Sequence, residues 1–487
     1  MKKLTVIVLS VLAIISCGRV VPAGKLAEDY EIFPDYKEVT VPPNIAPLNF
    51  CMSDSCAYAL TVEGAGGALY VKSRKGCFNL PAGKWKRLLK ASKGSDLHFS
   101  IFVKKDGKWL EMNPFTIHVA EEEASPYIAY RLIPPGYGMW RRMGIYQRNI
   151  ENFTQTPVYE NKLTGDNCVN CHSFPSRDPS SMVFHMRARN GGTVLIEDGE
   201  IHKLNTKTDS TISNLVYPYW HPSGKFIAFS VNKTFQTYHM AGAERIEVYD
   251  SASDVVVLDL DAREILSCPQ LKSDARFETF PSFSPDGRSL YFCSSKAVGE
   301  MPAGYMDAHY SLCRIDFDPD TRTFGEKVDT LFNAGESFSA SFPRVSPDGK
   351  YLVFTRHGFG NFSIWHSDAD LWCVDLSDGR LFPLSGANCP ESTDSYHSWS
   401  SESRWLVFSS RRADGLYTRP YFTYVSEDGT ASKAFMLPQK NPRKYYRELM
   451  FSYNIPEFID GKVKSDRHGI ASVMRRSDGE NLTYHLP

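Results

Sequence analysis

The chain has 487 residues, and its 55 Lys+Arg against 56 Asp+Glu leave a formal net charge of −1. A balance so close to neutral excludes the basic excess of a nucleic-acid protein. The length exceeds what one core supports, so two or more domains are expected, and 33 Gly and 29 Pro spread along the chain suit a turn-rich β protein.

Lys2 and Lys3 precede an apolar run over 4–15 that is too short to span a bilayer as a mature helix. Ile14-Ile15-Ser16-Cys17 follows and resembles a bacterial lipobox. That resemblance implies a signal peptide over 1–17 and a lipid on Cys17. It places the mature chain outside the cytoplasm, held by its lipid; the expected location is the cell envelope of a Gram-negative bacterium, in the outer membrane and facing the periplasm. A plain secretory signal cut near Ser16 is the competing reading. Residues 18–40 read as a tether.

Residues 41–120 carry short strands and turns. Strand-like runs over 57–62 and 97–103, with Lys105-Asp106-Gly107-Lys108-Trp109 as a turn, predict a small β-sandwich. Cys51, Cys56 and Cys77 lie close together, and a disulfide among them suits an exported protein, with the pairing left open. Residues 121–167, rich in Tyr, Arg and Pro, read as a connector that packs on the next domain. Its aromatics with Arg141 and Arg142 are also placed to cover a haem and its propionates.

Cys168-Val169-Asn170-Cys171-His172 reads C-x-x-C-H, the attachment signature of a c-type haem. In that chemistry the two thiols add to the vinyl groups and the adjacent His binds iron, so Cys168 and Cys171 are the haem-attachment candidates and His172 the proximal ligand. With 11 Cys and 13 His in the chain, a chance match is rare. The bland readings are a structural disulfide, a redox pair or half a zinc site. Zinc lacks a second ligand pair at short spacing, and a thioredoxin-type pair lacks its βαβ context. A distal ligand would be His or Met. His185 is the candidate, with Met182 and Met186 behind it and His202 or Met143 as more distant choices.

The chain beyond the motif repeats. Phe280-Pro281-Ser282-Phe283-Ser284-Pro285-Asp286-Gly287 is echoed by Phe342-Pro343-Arg344-Val345-Ser346-Pro347-Asp348-Gly349. Further copies begin at Tyr217-Pro218 and, with a degraded turn, at Tyr396-His397. Periods above about 40 residues with strand-turn-strand content mean propeller blades. A fifth copy is expected from Phe174-Pro175 through the strand at 182–184, and 470–474 reads as a strand of a last blade.

The Pro-Asp-Gly turn with its apolar strand resembles the TolB-type β-propeller repeat, and the whole arrangement resembles a group of exported lipoproteins from the Bacteroides lineage. The resemblance implies a propeller of five to seven four-stranded blades, here over 168–487, that binds partner proteins. The fold class is therefore all-β: an N-terminal β-sandwich, then a TolB-like propeller. No G-x-S-x-G elbow occurs, which disfavours an α/β-type serine hydrolase. His221, His397 and Glu278 are polar residues that precede or flank blade turns, and structural hydrogen bonding is their default role. Two functions compete. One is a membrane-anchored protein with one haem c, serving electron transfer or redox sensing with an envelope partner. The other is a haem-independent protein-binding scaffold.

Overall fold

The computed structural model describes residues 19–135, 142–242, 244–476 and 478–485. Cys17 and Arg141 lie outside the described residues. The chain divides into two compact units, one over 1–121 with 438–448 and one over 122–437 with 449–487.

The first unit contains a seven-stranded sheet whose core strand, Ser95–Lys105, pairs with Tyr58–Gly64, Lys108–Met112 and Phe115–Val119. Along Ser95–Lys105, Leu97, Phe99, Ile101 and Val103 are buried, the period of two that puts one face on the core. A three-stranded sheet joins Ile32–Phe33, Phe50–Met52 and Cys77–Phe78, and the disulfide Cys51–Cys77 ties two of its strands. Cys56 stays free. Helix Ala82–Ala91, which buries Trp85, Leu88 and Leu89, was not expected from the strand-and-turn pattern.

The second unit is β-propeller-like. Among its described residues six sheets each hold four antiparallel strands, and two short C-terminal strands add to the edges of the first and second. The inner strands are Val169–Ser173, Val216–Trp220, Arg276–Phe283, Ser339–Val345, Asp394–Trp399 and Ser452–Ile459. Successive inner strands pack on one another in that order. The sixth sheet is assembled from both ends of the unit: Ser452–Ile459 pairs with Tyr127–Ile133, which continues to Gly144–Asn149 and Gln155–Glu160. The segment expected as a connector therefore supplies three strands.

Each inner strand carries the same irregularity. Cys171, Tyr217, Phe280, Phe342, Tyr396 and Ile455 all have φ between 50° and 55°. The strand ladder slips at each of these points, which is a β-bulge. The next residue is Pro218, Pro281, Pro343 or Pro456 in four cases and His172 or His397 in two. Proline fits because the bulge removes the ladder bond that its missing N–H would have made. This register corrects the expected first copy. Cys171-His172, and not Phe174-Pro175, is equivalent to Phe280-Pro281, three residues earlier than the sequence reading placed it. The turns behave as expected: Asp286 accepts from Arg288 N and from Ser284 Oγ, at 3.0 and 2.5 Å. Gly287 has φ +73°, and a Cβ there would lie 2.1 Å from His221 Nε2.

Residues 470–474 are not a strand. They lie in helix Arg467–Arg475, which is capped by Asp466 accepting from Gly469 N at 2.9 Å and buries Ile470, Ala471 and Met474.

Candidate binding site

The six bulge residues point to where the inner strands converge. There Tyr217 meets Phe280 at 4.7 Å between ring centroids, Phe280 meets Phe342 at 4.0 Å, and Phe342 meets Tyr396 at 4.7 Å. Ile455 packs on the same cluster. Their rings pack into a plug, and members of the plug border two cavities.

One cavity, of about 240 Å³, is bordered by Phe342, Tyr396 and Ile455 of the plug and lined by His172, Arg344, His397 and Glu457. His172 is buried and makes no hydrogen bond from either ring nitrogen; its nearest carboxylate oxygen is Glu457 Oε2 at 3.9 Å. Burial, reinforced by the charge of Arg131, pulls its pKa down to about 3, against the opposing backbone of Ala129 and Ile455. His397 donates from Nε2 to the Val353 carbonyl at 2.8 Å and leaves Nδ1 without a partner. Glu457 accepts from Phe174 N at 3.2 Å, yet burial pushes its carboxyl up to about 8.

The other cavity, of about 350 Å³, is bordered by Tyr217 of the plug. Cys168 and Met143 are in its wall, with Asn170, Tyr238, Phe362 and Trp365. Three arginines, Arg131, Arg187 and Arg411, supply all the charged side chains among its described lining residues.

The expected haem residues therefore separate. Cys168 lines the 350 Å³ cavity and His172 the 240 Å³ cavity, while Cys171 occupies a plug position. Burial pushes the Cys171 thiol up, opposed by the backbone of Tyr217. A haem held by both thiols and the imidazole needs all three to face one space, and neither of these two cavities is lined by all three. Among the described residues no group of three or more His, Cys, Asp or Glu is placed to hold a metal ion.

The distal candidates separate too. His185 pairs with Asn170 across the first sheet, hydrogen-bonds Thr193 Oγ1 through Nδ1 at 3.1 Å, and lines a third cavity. Burial pulls its pKa down to about 3. Met182 and Met186 belong to the core between sheets. His202 binds Glu480 Oε1 at 2.6 Å. Met143 alone shares a cavity with Cys168, and its Sδ accepts from Val169 N at 3.2 Å. His221 donates to Gly287 O at 3.1 Å and Glu278 accepts from Ser294 Oγ at 3.1 Å, so both serve the blades.

Sequence reasoning missed the three arginines. Arg131 lies in the strand Tyr127–Ile133, while Arg187 and Arg411 directly follow the strands Met182–Met186 and Trp405–Ser410, and no local spacing links the three.

No protein-family model and no curated protein matches the chain. Similar solved structures include prolyl oligopeptidase B from Galerina marginata, at TM-score 0.36 and 10% identity, covering 69% of this chain and 42% of that one. A putative 6-phosphogluconolactonase from Bacteroides uniformis gives TM-score 0.34 and 13% identity over 64% of this chain and 98% of that one. A DUF4784 family protein from Bacteroides caccae gives 0.30 and 7%, over 74% and 96%. The chain thus spans less than half of the oligopeptidase, and at scores this low no residue role is carried across.

Proposed function

We propose that this chain is an exported, lipid-anchored binding protein, built as a closed six-bladed TolB-like propeller with its ligand site in the Cys168 cavity. The observation that carries the reading is the bulge repeated in all six inner strands. Five of the six equivalent side chains pack into one plug, and a plug turns a through-channel into a cup with rigid walls, the concave and partly apolar kind of space that small ligands occupy. Closure is supported by the sixth sheet, which joins chain from both ends of the unit as closed propellers commonly do. Export is supported by the disulfide Cys51–Cys77 and by the lipobox-like Ile14 to Cys17.

Cys168 gives the test. Its half-buried thiol lies in the cup wall. A small maleimide should modify wild type at Cys168, and Cys168→Ser should lose that modification while the other free thiols react as before. A Cys168 that never reacts in the folded protein would refute an accessible cup.

The second reading is a covalent haem c, favoured by the C-x-x-C-H sequence itself. A pyridine haemochrome spectrum of protein matured with a working haem-attachment pathway decides it. A thioether haem signal would replace the binding reading with the cytochrome reading, and its absence would retire the latter.

A further inference from the structure

Arg131 is 8% exposed, with Nε buried and unpartnered. Its NH1 donates to Asn170 Oδ1, and its NH2 faces the Asn454 amide, whose oxygen accepts at 3.0 Å in the orientation that satisfies both groups. Arg411 is 5% exposed. It donates to the carbonyls of Ile364, at 2.7 Å, and Leu416, and its guanidinium lies 3.3 Å from the centre of the Trp365 ring. Arg187 is exposed at the cavity wall. Among the described residues none of the three has a carboxylate within ion-pair distance. The acid that Arg187 influences, Asp250, is buried behind Asn232, Thr234 and Asn361 and hydrogen-bonded to all three. Asp414, which Arg411 senses, is exposed and pairs with Arg419.

Two guanidiniums have thus been taken out of water with only neutral acceptors for company, which is costly unless a counter-charge arrives. Burial has already pulled the Arg411 pKa down to about 9. Arginine also keeps its fork of donors in a geometry that matches carboxylate oxygens two at a time. The remaining wall combines aromatic and aliphatic side chains, Tyr217, Tyr238, Phe362, Trp365, Ile133 and Val248 among them, with neutral polar ones such as Asn170, Gln236 and Asn454.

From this we infer that the Cys168 cavity binds a small organic anion, a carboxylate carried on an apolar or aromatic body, with Arg131 and Arg411 as its counter-charge and Arg187 at the entrance. The inference rests on the cup reading above and adds the ligand class. A space of about 350 Å³ lies at the low end of small-molecule sites, so the body is about the size of one substituted ring.

The experiment titrates the full chain with phenylacetate, with its uncharged isostere phenylacetamide, and with hemin as a larger dicarboxylate, followed by calorimetry and by thermal shift. Phenylacetate should bind and raise the melting temperature, and phenylacetamide should bind at least about 10-fold more weakly, which is about 1.4 kcal/mol. Arg131→Gln or Arg411→Gln should each weaken phenylacetate by a similar factor. Arg187→Gln, on the surface and safe for folding, should weaken it less but measurably. A maleimide adduct on Cys168 should block binding. Equal binding of acid and amide, or arginine variants that bind as wild type does, would overturn the anion while the adduct's effect still upholds the cup. No binding of either small ligand would overturn the inference, and so would binding of hemin alone, which would assign the arginines to a porphyrin's propionates.

Discussion

Phe342→Ala is the sharpest test of the plug. Phe342 is 5% exposed and touches three rings, Phe280 at 4.0 Å, Tyr396 at 4.7 Å and Tyr217 at 6.2 Å between centroids. Truncating a buried Phe to Ala costs about 3–5 kcal/mol, from lost transfer energy and the cavity left behind. One side of this ring already borders the 240 Å³ cavity, so part of that void exists in wild type and the cost should fall near the lower bound, about 3 kcal/mol. Phe342→Leu keeps most of the apolar volume and should cost about 1 kcal/mol. Urea unfolding followed by tryptophan fluorescence reads both, and the order of the two variants matters as much as their size. A Phe342→Ala loss below about 1 kcal/mol would mean that the rings do not pack as a plug and that the two cavities are not separated.

Cys17→Ser should leave the protein unlipidated and released from membranes, read by membrane fractionation and mass spectrometry; a variant still lipid-modified would remove Cys17 as the anchor. Deleting residues 339–393, the fourth sheet and its following loop, should unfold the whole second unit, because its neighbours lose a packing face on each side; limited proteolysis that left the other sheets intact would argue against a closed ring. Glu457→Gln should change the pH dependence of stability. The folded carboxyl titrates near 8 against an ordinary 4.5, so the folded state binds the extra proton between those values. Wild type should therefore lose stability relative to the variant as pH rises from about 5 to 8, and parallel denaturation curves across that window would show that Glu457 is not desolvated.

The later sheets were legible because their turns are local. Pro285-Asp286-Gly287 and Pro347-Asp348-Gly349 announce a hairpin within a few residues, and the aromatic-Pro pair before each turn marks the bulge. The sixth sheet was not legible for the opposite reason. Ile455-Pro456 carries the bulge signal, but the partner strand at Tyr127–Ile133 lies more than 300 residues upstream, so no turn follows it. Residues 470–474 misled because a five-residue apolar run fits a strand and a helix equally; Asp466, a capping residue four positions upstream, was the signal that decided for helix. The candidate cup was legible only at Cys168 and Met143, since Arg131, Arg187 and Arg411 share nothing before the fold gathers them.

The same repeat bears on the C-x-x-C-H motif. Its last two residues fall on the bulge pair, where the other inner strands carry Tyr-Pro, Phe-Pro, Phe-Pro, Tyr-His and Ile-Pro. His172 is thus the counterpart of His397, and both stand where proline is the commoner choice. The position needs no backbone N–H, and the residue before it already holds the φ that precedes proline in four other inner strands. His172 also buries two ring nitrogens without hydrogen bonds. Replacing it by proline removes those orphaned groups and pre-sets φ, and each change is neutral or stabilising at a compatible site. His172→Pro should accordingly fold, keep its unfolding free energy in urea within about 1 kcal/mol of wild type, and leave Cys168 as reactive as before. A folded haem protein that depends on His172 for iron would respond differently, losing its low-spin absorption or failing to mature. The variant therefore separates the two readings in one preparation. Loss of the fold would show that the imidazole does structural work the bulge does not explain, and loss of a haem spectrum with the fold intact would make His172 a ligand.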